Sequence, residues 1–194
     1  GLSEELTGDV RISANEIVGV YLLPPAIAAF REKHSNVNIE IVISNYSSSL
    51  SKREADIALR MFRPTQPDLV ARRLPDLEIG LFAHSNYLSE HGEPSTIEEV
   101  LACTLIGFDE NRDFINSAAD LGYAFTRDQF SLRSDHLLAQ LQLLRAGAGI
   151  SATHVGLARH WPELTRILRA IPLPPIEFWC VTHSDVPYNN RIRE

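Results

Sequence analysis

Three residue types used in nucleophilic catalysis stand side by side in the stretch RSDHLLAQLQLLRAGAGISATH, which runs from Arg133 to His154. Ser134, Asp135 and His136 are consecutive, and adjacent side chains on a helix point about 100° apart, so they cannot form a hydrogen-bonded catalytic relay with one another. The sequence contains no Gly-x-Ser-x-Gly motif, and its seven histidines show no metal-ligand spacing. We therefore expect no catalytic residues, no metal site and no cofactor, and predict that the protein is not an enzyme.

The Gly-Ala-Gly at Gly147–Gly149 resembles a phosphate-binding loop only in composition. In a dinucleotide-binding loop the glycines follow a strand and precede a helix, whereas here the order is reversed. Ser134 or Asp135 is predicted to cap the N-terminus of a helix, and Gly147 to end it. The apolar face of this helix consists of four leucines, Leu137, Leu138, Leu141 and Leu144. The glycines therefore end a helix and begin the strand GISA.

The first turn of this helix offers free N–H groups, the positive end of the helix dipole and the Ser134 hydroxyl, which together favour a small anion. A capping residue of this kind more often bonds only to the backbone of its own helix and binds no ligand. A second such feature favours the binding interpretation, because Ser13 and Asn15 follow the first predicted strand and also lead into a helix. In open α/β sheets, ligands bind at the carboxyl ends of the strands.

The elements that position these residues alternate between strand and helix. Strands are predicted at 9–13, 37–43 and 55–60, with a helix whose main body starts at Pro24-Pro25 and a short helix near Leu50, which indicates a parallel sheet. Further strands are predicted in LVARRL, LEIGLFAH, TLIGF, residues 130–132 and IEFWCVTH, the last after the proline-rich return IPLPP. We predict an α/β fold of two lobes, residues 1–75 plus 165–194 and residues 76–164, with two crossovers and a cleft between them.

Composition and charge exclude several classes of partner. The formal net charge is −7, and the densest basic clusters are pairs such as Lys52-Arg53 and Arg72-Arg73, so we expect no tight DNA binding by this chain alone. No apolar run approaches the roughly 20 residues of a membrane span, and the N-terminus does not look like a signal peptide, which predicts a cytoplasmic protein without a membrane partner. Cys103 and Cys180 are interpreted as reduced thiols, with a redox switch as the alternative.

Several stretches, in this order and spacing, resemble the C-terminal regulatory domain of LysR-type transcriptional regulators over essentially the whole chain. They are GDVRIS, LLPPAIAAFREKHSNVNIEI, READIALRMFRPTQPDLVARRL, AHSNYLSEHGEP, TLIGF, RSDHLLAQLQLLRAGAGIS and FWCVTHSDVPYNNRIR. The resemblance implies a fold like the type 2 periplasmic binding proteins, with two Rossmann-like lobes joined by two crossover strands and a small effector in the cleft.

The resemblance also implies partners. We expect the DNA-reading part, an N-terminal winged helix-turn-helix domain, to be absent from this chain, so that DNA is bound only through that domain. Relatives of this type pair side by side, which here would place Pro24–His34 of one copy against Ser134–Ala146 of the other. The expected assembly is a homodimer, and a homotetramer for the full-length protein.

The cleft is expected to bind a small organic anion. Nine residues are predicted to line it: Ser13, Asn15, Tyr46, Ser47 and Arg60 from one lobe, and Gly107, Phe108, Ser134 and His154 from the other. Ser13 and Ser47 would lie near helix N-termini, and Arg60 would add a charge-assisted pair, unless it pairs with an acidic neighbour instead. Phe108 would cover an apolar or aromatic part of the effector.

Two other functions share the same fold class. A solute-binding receptor or an enzyme could use the same two lobes, because fold does not determine function. Thiol sensing is a third alternative, but in the peroxide-sensing relatives the two cysteines lie close together in sequence, whereas Cys103 and Cys180 are 77 positions apart.

Overall fold

The computed structural model describes residues 6–44 and 55–184, in which strands and helices alternate. The strands are β1 (Gly8–Ala14), β2 (Val37–Ile43), β3 (Ile57–Arg60), β4 (Leu69–Leu77), β5 (Ile79–His84), β6 (Leu105–Gly107), β7 (Phe130–Arg133), β8 (Ile150–His154), β9 (Leu164–Ile167) and β10 (Ile176–His183). The α-helices are α1 (Leu23–Lys33), α2 (Ser85–His91), α3 (Ile97–Leu101), α4 (Asp113–Asp120), α5 (Leu137–Arg145) and α6 (Val155–Ala158). The chain divides into two units, one ending at Asp76 and resuming at Glu177, the other comprising Leu77–Ile176.

The first unit contains a five-stranded sheet in the order β2-β1-β3-β10-β4. β1 pairs in parallel with β2 and β3, and β10 runs antiparallel to β3. Val10, Val37 and Val181 are among its buried residues. The predicted parallel arrangement of the first three strands is therefore confirmed, and the predicted helix near Leu50 lies outside the described residues.

The helix after β1 begins before the two prolines that were predicted to start its main body. Residues 16–17 are already helical, and a π-helix at Val18–Leu22 runs directly into α1. Pro24 and Pro25 have no N–H to donate to the preceding turn, and the Leu23 N–H bonds to the carbonyl of Val18, five residues earlier. The backbone thus accommodates the two prolines by forming one wider, π-helical turn before them.

The second unit contains a sheet in the order β7-β6-β8-β5-β9. β6 is parallel to β7 and β8, whereas β5 is antiparallel to β8 and β9. One face is covered by a core that includes Leu105, Phe125 and Phe130. Both units therefore contain three adjacent parallel strands, β2-β1-β3 and β7-β6-β8, and in each set the strand that comes first in the chain lies in the middle.

The structure corrects the predicted boundary between the two lobes. Residues from 165 onward were assigned to the first lobe, but Leu164–Ile167 forms an edge strand, β9, hydrogen-bonded to β5 of the second sheet. The chain returns to the first unit only after Ile176, because the proline-rich stretch 171–175 follows β9 and separates it from β10. The acidic stretch after β6, for which no element was predicted, contains α4.

Within the described ranges no helix is long and apolar enough to cross a membrane.

Candidate functional site

In the first unit, the carboxyl ends of β1 and β3 lie next to each other where the strand order reverses, the usual place for a ligand in such sheets. Ser13 is the penultimate residue of β1, and Arg60 is the last residue of β3. Both are buried, with 4% and 7% of their surface exposed. Nη1 and Nη2 of Arg60 each donate to the Oγ of Ser13 at 3.3 Å. Two of the predicted site residues are thus in direct contact.

The Arg60 side chain is a guanidinium cation, with five N–H donors and no acceptor. Its Nη1 also donates to the carbonyl of Leu59 at 3.2 Å, which fixes the end of the side chain against its own strand. A buried, fixed cation at the ends of parallel strands is suited to a carboxylate, since charge-assisted pairs gain strength away from water.

Asn15 follows β1 and caps the helix that begins there. Its Oδ1 accepts a hydrogen bond from the Val18 N–H at 2.9 Å, and its carbonyl accepts from the Gly19 N–H at 2.8 Å. The side-chain oxygen therefore serves the helix start, as is common for asparagine at this position. Tyr46 and Ser47, the other two residues predicted for this lobe, lie outside the described residues.

In the second unit, Gly107 ends β6 at a point where the backbone has no room for a larger residue. A Cβ at this position would lie 2.3 Å from Cδ1 of Phe130, which is buried in the core. The Gly107 carbonyl accepts from the Ser134 N–H at 3.0 Å. Gly107 and Ser134 are therefore brought together by the pairing of neighbouring strands. The ring of Phe130 fills the space that a side chain at position 107 would need. Phe108 follows directly and is half-buried.

Ser134 does not cap the N-terminus of α5, and neither does Asp135, so this prediction was wrong. The helix begins at Leu137, with His136 at the cap position. The Oγ of Ser134 instead accepts from the His136 N–H at 3.0 Å, and its carbonyl accepts from Nε2 of Gln140 at 2.7 Å. These bonds hold the chain in a turn before the helix, which therefore starts one or two residues later than predicted.

Asp135 has a role that the sequence did not indicate. Its carboxylate accepts hydrogen bonds from the backbone N–H groups of Asp109, Glu110 and Asn111 at 2.9–3.1 Å. Desolvation raises the pKa of Asp135, but these three bonds and the charge of Arg127 outweigh it, so that the pKa lies below its ordinary value. The loop after Phe108 is thereby held in place by a residue 24–26 positions away, a separation at which no local sequence signal exists.

His154 ends β8 and is buried, with 8% of its surface exposed. Burial lowers the pKa of its imidazole to about 4, so the ring is neutral near pH 7. Its Nδ1 has no hydrogen-bond partner among the described residues. A neutral imidazole with an unused nitrogen can accept or donate one further hydrogen bond.

Within residues 6–44 and 55–184, no group of three His, Cys, Asp or Glu side chains is placed to bind a metal ion. Cys103 and Cys180 are both free and lie in different units.

A protein-family model described as the LysR substrate binding domain matches residues 3–194. The HTH-type transcriptional regulator CrgA of Neisseria meningitidis serogroup C (strain 8013) is 31% identical over 103 residues, which cover 53% of this chain and 34% of that protein. An HTH-type transcriptional regulator of Xanthomonas campestris pv. campestris (strain 8004) is 26% identical over 110 residues, 57% of this chain and 32% of that protein. The aligned part is thus about a third of the length of these relatives.

Solved structures show the same fold. The CrgA regulatory domain from Neisseria meningitidis, a LysR-type transcriptional regulator, superimposes with a TM-score of 0.85 at 25% identity, covering 96% of this chain and 94% of that one. The full-length Vibrio cholerae virulence activator AphB superimposes with a TM-score of 0.78 at 21% identity, covering 98% of this chain and 67% of that one.

Proposed function

The chain belongs to the LysR substrate-binding domain family, the effector-binding regulatory domains of transcription regulators, and we propose that it senses a small organic anion and pairs with a second copy of itself. The relatives it matches are named as transcriptional regulators and not as enzymes. We propose that the full-length protein reads DNA through a separate N-terminal domain, since this chain carries a net charge of −7. Such a regulator would act in the cytoplasm, as a homotetramer.

The observation that carries the effector proposal is the contact between Ser13 and Arg60. Both side chains are buried at the carboxyl ends of neighbouring parallel strands, and the guanidinium supplies a positive charge there. A carboxylate of the effector would bind to this pair. Asn15 would contribute indirectly, since it fixes the start of the adjoining helix.

The second group of proposed effector contacts suits an uncharged part of the ligand. Phe108 offers an aromatic surface, and the ring of His154 is buried and neutral. Gly107 and Ser134 would contribute backbone and hydroxyl groups, although the Ser134 hydroxyl already accepts one hydrogen bond. Asp135 places a negative charge next to Ser134, which disfavours a second anionic group at this end. The effector class is therefore a monoanion with a neutral, partly apolar body.

A thermal-shift screen tests this assignment. Small monocarboxylic acids, each accompanied by its neutral amide, are added to the protein, and the unfolding temperature is measured. We expect a subset of the acids to raise Tm in a concentration-dependent manner, because a ligand that binds only the folded state stabilises it, while the matched amides have little effect. A screen in which amides or amines stabilise and acids do not would contradict the proposal.

The pairing proposal rests on apolar surface in the first unit. No residue of α1 is buried, and the edge strand β2 leaves Ile41 and Ile43 with 41% and 44% of their surface exposed. Both side chains lie beside Gly19, and the next residue along the chain, Val20, is 43% exposed. Exposed apolar groups on an edge strand and an adjoining helix are typical of a protein–protein interface. In α5, Leu141 and Leu144 are buried, whereas Leu137 and Leu138 are half-buried and remain available in part.

Sedimentation velocity on the wild type and on Ile41→Lys tests the pairing. We expect a dimer for the wild type and a shift toward monomer for Ile41→Lys. Val70→Lys is the matched control, because Val70 is also an exposed apolar strand residue, with 52% of its surface exposed, but lies on β4 at the other edge of the sheet. A wild-type monomer at high concentration, or equal effects of both substitutions, would contradict pairing through β2 and α1.

A further inference from the structure

A cleft lies in the first unit, beside the loop that joins β3 to β4. Its volume is about 490 Å³, within the range of small-molecule sites. Six residues line it: Arg63, Pro64, Thr65, Gln66, Leu69 and Ala71. None of them belongs to the proposed effector site.

Arg63 supplies a positive charge that no described carboxylate neutralises. Its guanidinium lies over the ring of Trp179, 5.6 Å from the centroid, and forms no ion pair with a described residue. Arg73 also approaches this ring, at 5.7 Å, but is bonded to Asp76 at 3.0 Å. Since the indole orients Arg63 through its face and takes up none of its N–H groups, those donors remain for a ligand.

The rest of the cleft combines an apolar floor with polar sides. Leu69 and Ala71 alternate along β4 and pack against the cluster formed by Ala58, Trp179 and Val181. Thr65 and Gln66 add a hydroxyl and an amide. The nearest acidic side chain on β10, Glu177, accepts the indole N–H of Trp179 at 3.0 Å. The cation suits a carboxylate, the apolar floor suits a hydrocarbon body, and the hydroxyl and amide can form further hydrogen bonds, so the cleft suits a small organic acid.

We propose that the cleft around Arg63 is a second ligand site, which binds a small carboxylate with an apolar body. The carboxylate would pair with the Arg63 guanidinium, and the apolar body would lie on Leu69 and Ala71. Because none of the six lining residues belongs to the proposed effector site, this proposal can be tested whether or not the effector site is correctly assigned.

NMR titration of the isotopically labelled protein with benzoate tests this proposal, and benzamide serves as the neutral match. Trp179 is paired with Arg60 in the sheet, so its indole signal alone does not separate the two sites. The backbone amides of Thr65, Gln66 and Ala71 report on the Arg63 cleft. The indole signal of Trp161, which lies under Arg145 in the other unit, is an internal reference.

Three variants distinguish the possible outcomes. Arg63→Gln is expected to weaken benzoate binding at these amides by about tenfold or more, the effect of losing a charge-assisted hydrogen bond. Arg72→Gln removes a positive charge from β4 at the position next to Ala71, near Cys180. This substitution should leave benzoate binding unchanged. Arg60→Gln should also leave it unchanged, whatever it does to the effector. Absence of shifts at Thr65 and Gln66, equal response to benzamide, or unchanged binding in Arg63→Gln would overturn the proposal.

Discussion

Both terminal nitrogens of Arg60 lie 3.3 Å from the Oγ of Ser13, although the two residues are 47 positions apart in the chain. The contact exists because β1 and β3 are neighbours in the sheet, with Ser13 opposite Ala58, two residues before Arg60. It joins a hydroxyl and a cation that are both buried. The stability of the strand ends and the proposed recognition of an anion therefore depend on the same pair.

Ser13→Ala is expected to destabilise the protein by about 1–2 kcal/mol, because the buried guanidinium loses one of its acceptors. Urea unfolding followed by circular dichroism measures the effect. Ser131→Ala, at an exposed strand position of β7, is the control and should change the free energy of unfolding by less than about 0.5 kcal/mol. Equal effects of the two substitutions would show that the Ser13 hydroxyl contributes nothing to stability.

Gly107→Ala should destabilise the protein by about 1–3 kcal/mol, because the new methyl group overlaps the ring of Phe130. Gly156→Ala is the matched control, since a Cβ at Gly156 in α6 meets nothing within 4 Å, and alanine favours the helix. It should leave stability unchanged or raise it by up to about 1 kcal/mol. A neutral Gly107→Ala variant would mean that Phe130 moves aside without cost.

His154 makes stability depend on pH. Its folded-state pKa of about 4 lies below the ordinary value of 6.5, so as the pH falls below 6.5 the unfolded chain takes up a proton that the folded chain does not. Relative to His154→Gln, the wild type should therefore lose about 3 kcal/mol between pH 7 and pH 4. Urea unfolding across this range measures the difference, with exposed His160→Gln as the control. Parallel curves for the wild type and His154→Gln would contradict the buried, neutral ring.

The sequence predicted the features that depend on local pattern. β2 and β10 have the predicted bounds, because alternating or continuous apolar residues end sharply at polar or proline-rich stretches. Gly147 has the positive φ of 79° expected for a residue that ends a helix. The adjacency of Ser13 and Arg60 was predictable because parallel strands gather their carboxyl ends at one edge of a sheet.

Two features that depend on contacts between distant parts of the chain were not predicted. The start of α5 was misplaced because Ser134 and Asp135 are both good capping residues, and only the fold reveals that one forms a turn and the other binds a distant loop. β9 was missed because Leu164–Ile167 is short and acquires its partner, β5, from a distant part of the chain.

Asp135→Ala should expose the loop after β6. The carboxylate accepts three backbone N–H groups, so amide hydrogen exchange at Glu110 and Asn111 should become faster, while Asp135→Asn, which keeps one carbonyl acceptor, should have a smaller effect. Since the pKa of Asp135 is lowered by folding, protection should hold above the ordinary pKa of an aspartate and fall as the pH drops through the folded-state value. Asp128→Ala, at a side chain that is 93% exposed, is the control. Unchanged exchange in Asp135→Ala would contradict the assigned contacts.

Binding of a small organic anion at Ser13 and Arg60 can be measured by calorimetric titration of three folded variants. An acid that stabilises the wild type is titrated into Ser13→Ala, Arg60→Gln and Ser134→Ala. We expect Arg60→Gln to lose about 1.5–3 kcal/mol of binding free energy, as is usual for a hydrogen bond to a charged group, and Ser13→Ala to lose a smaller amount. Ser134→Ala should lose less than either, because its hydroxyl already accepts from His136. Wild-type affinity in all three variants would show that the effector does not bind where the buried arginine lies.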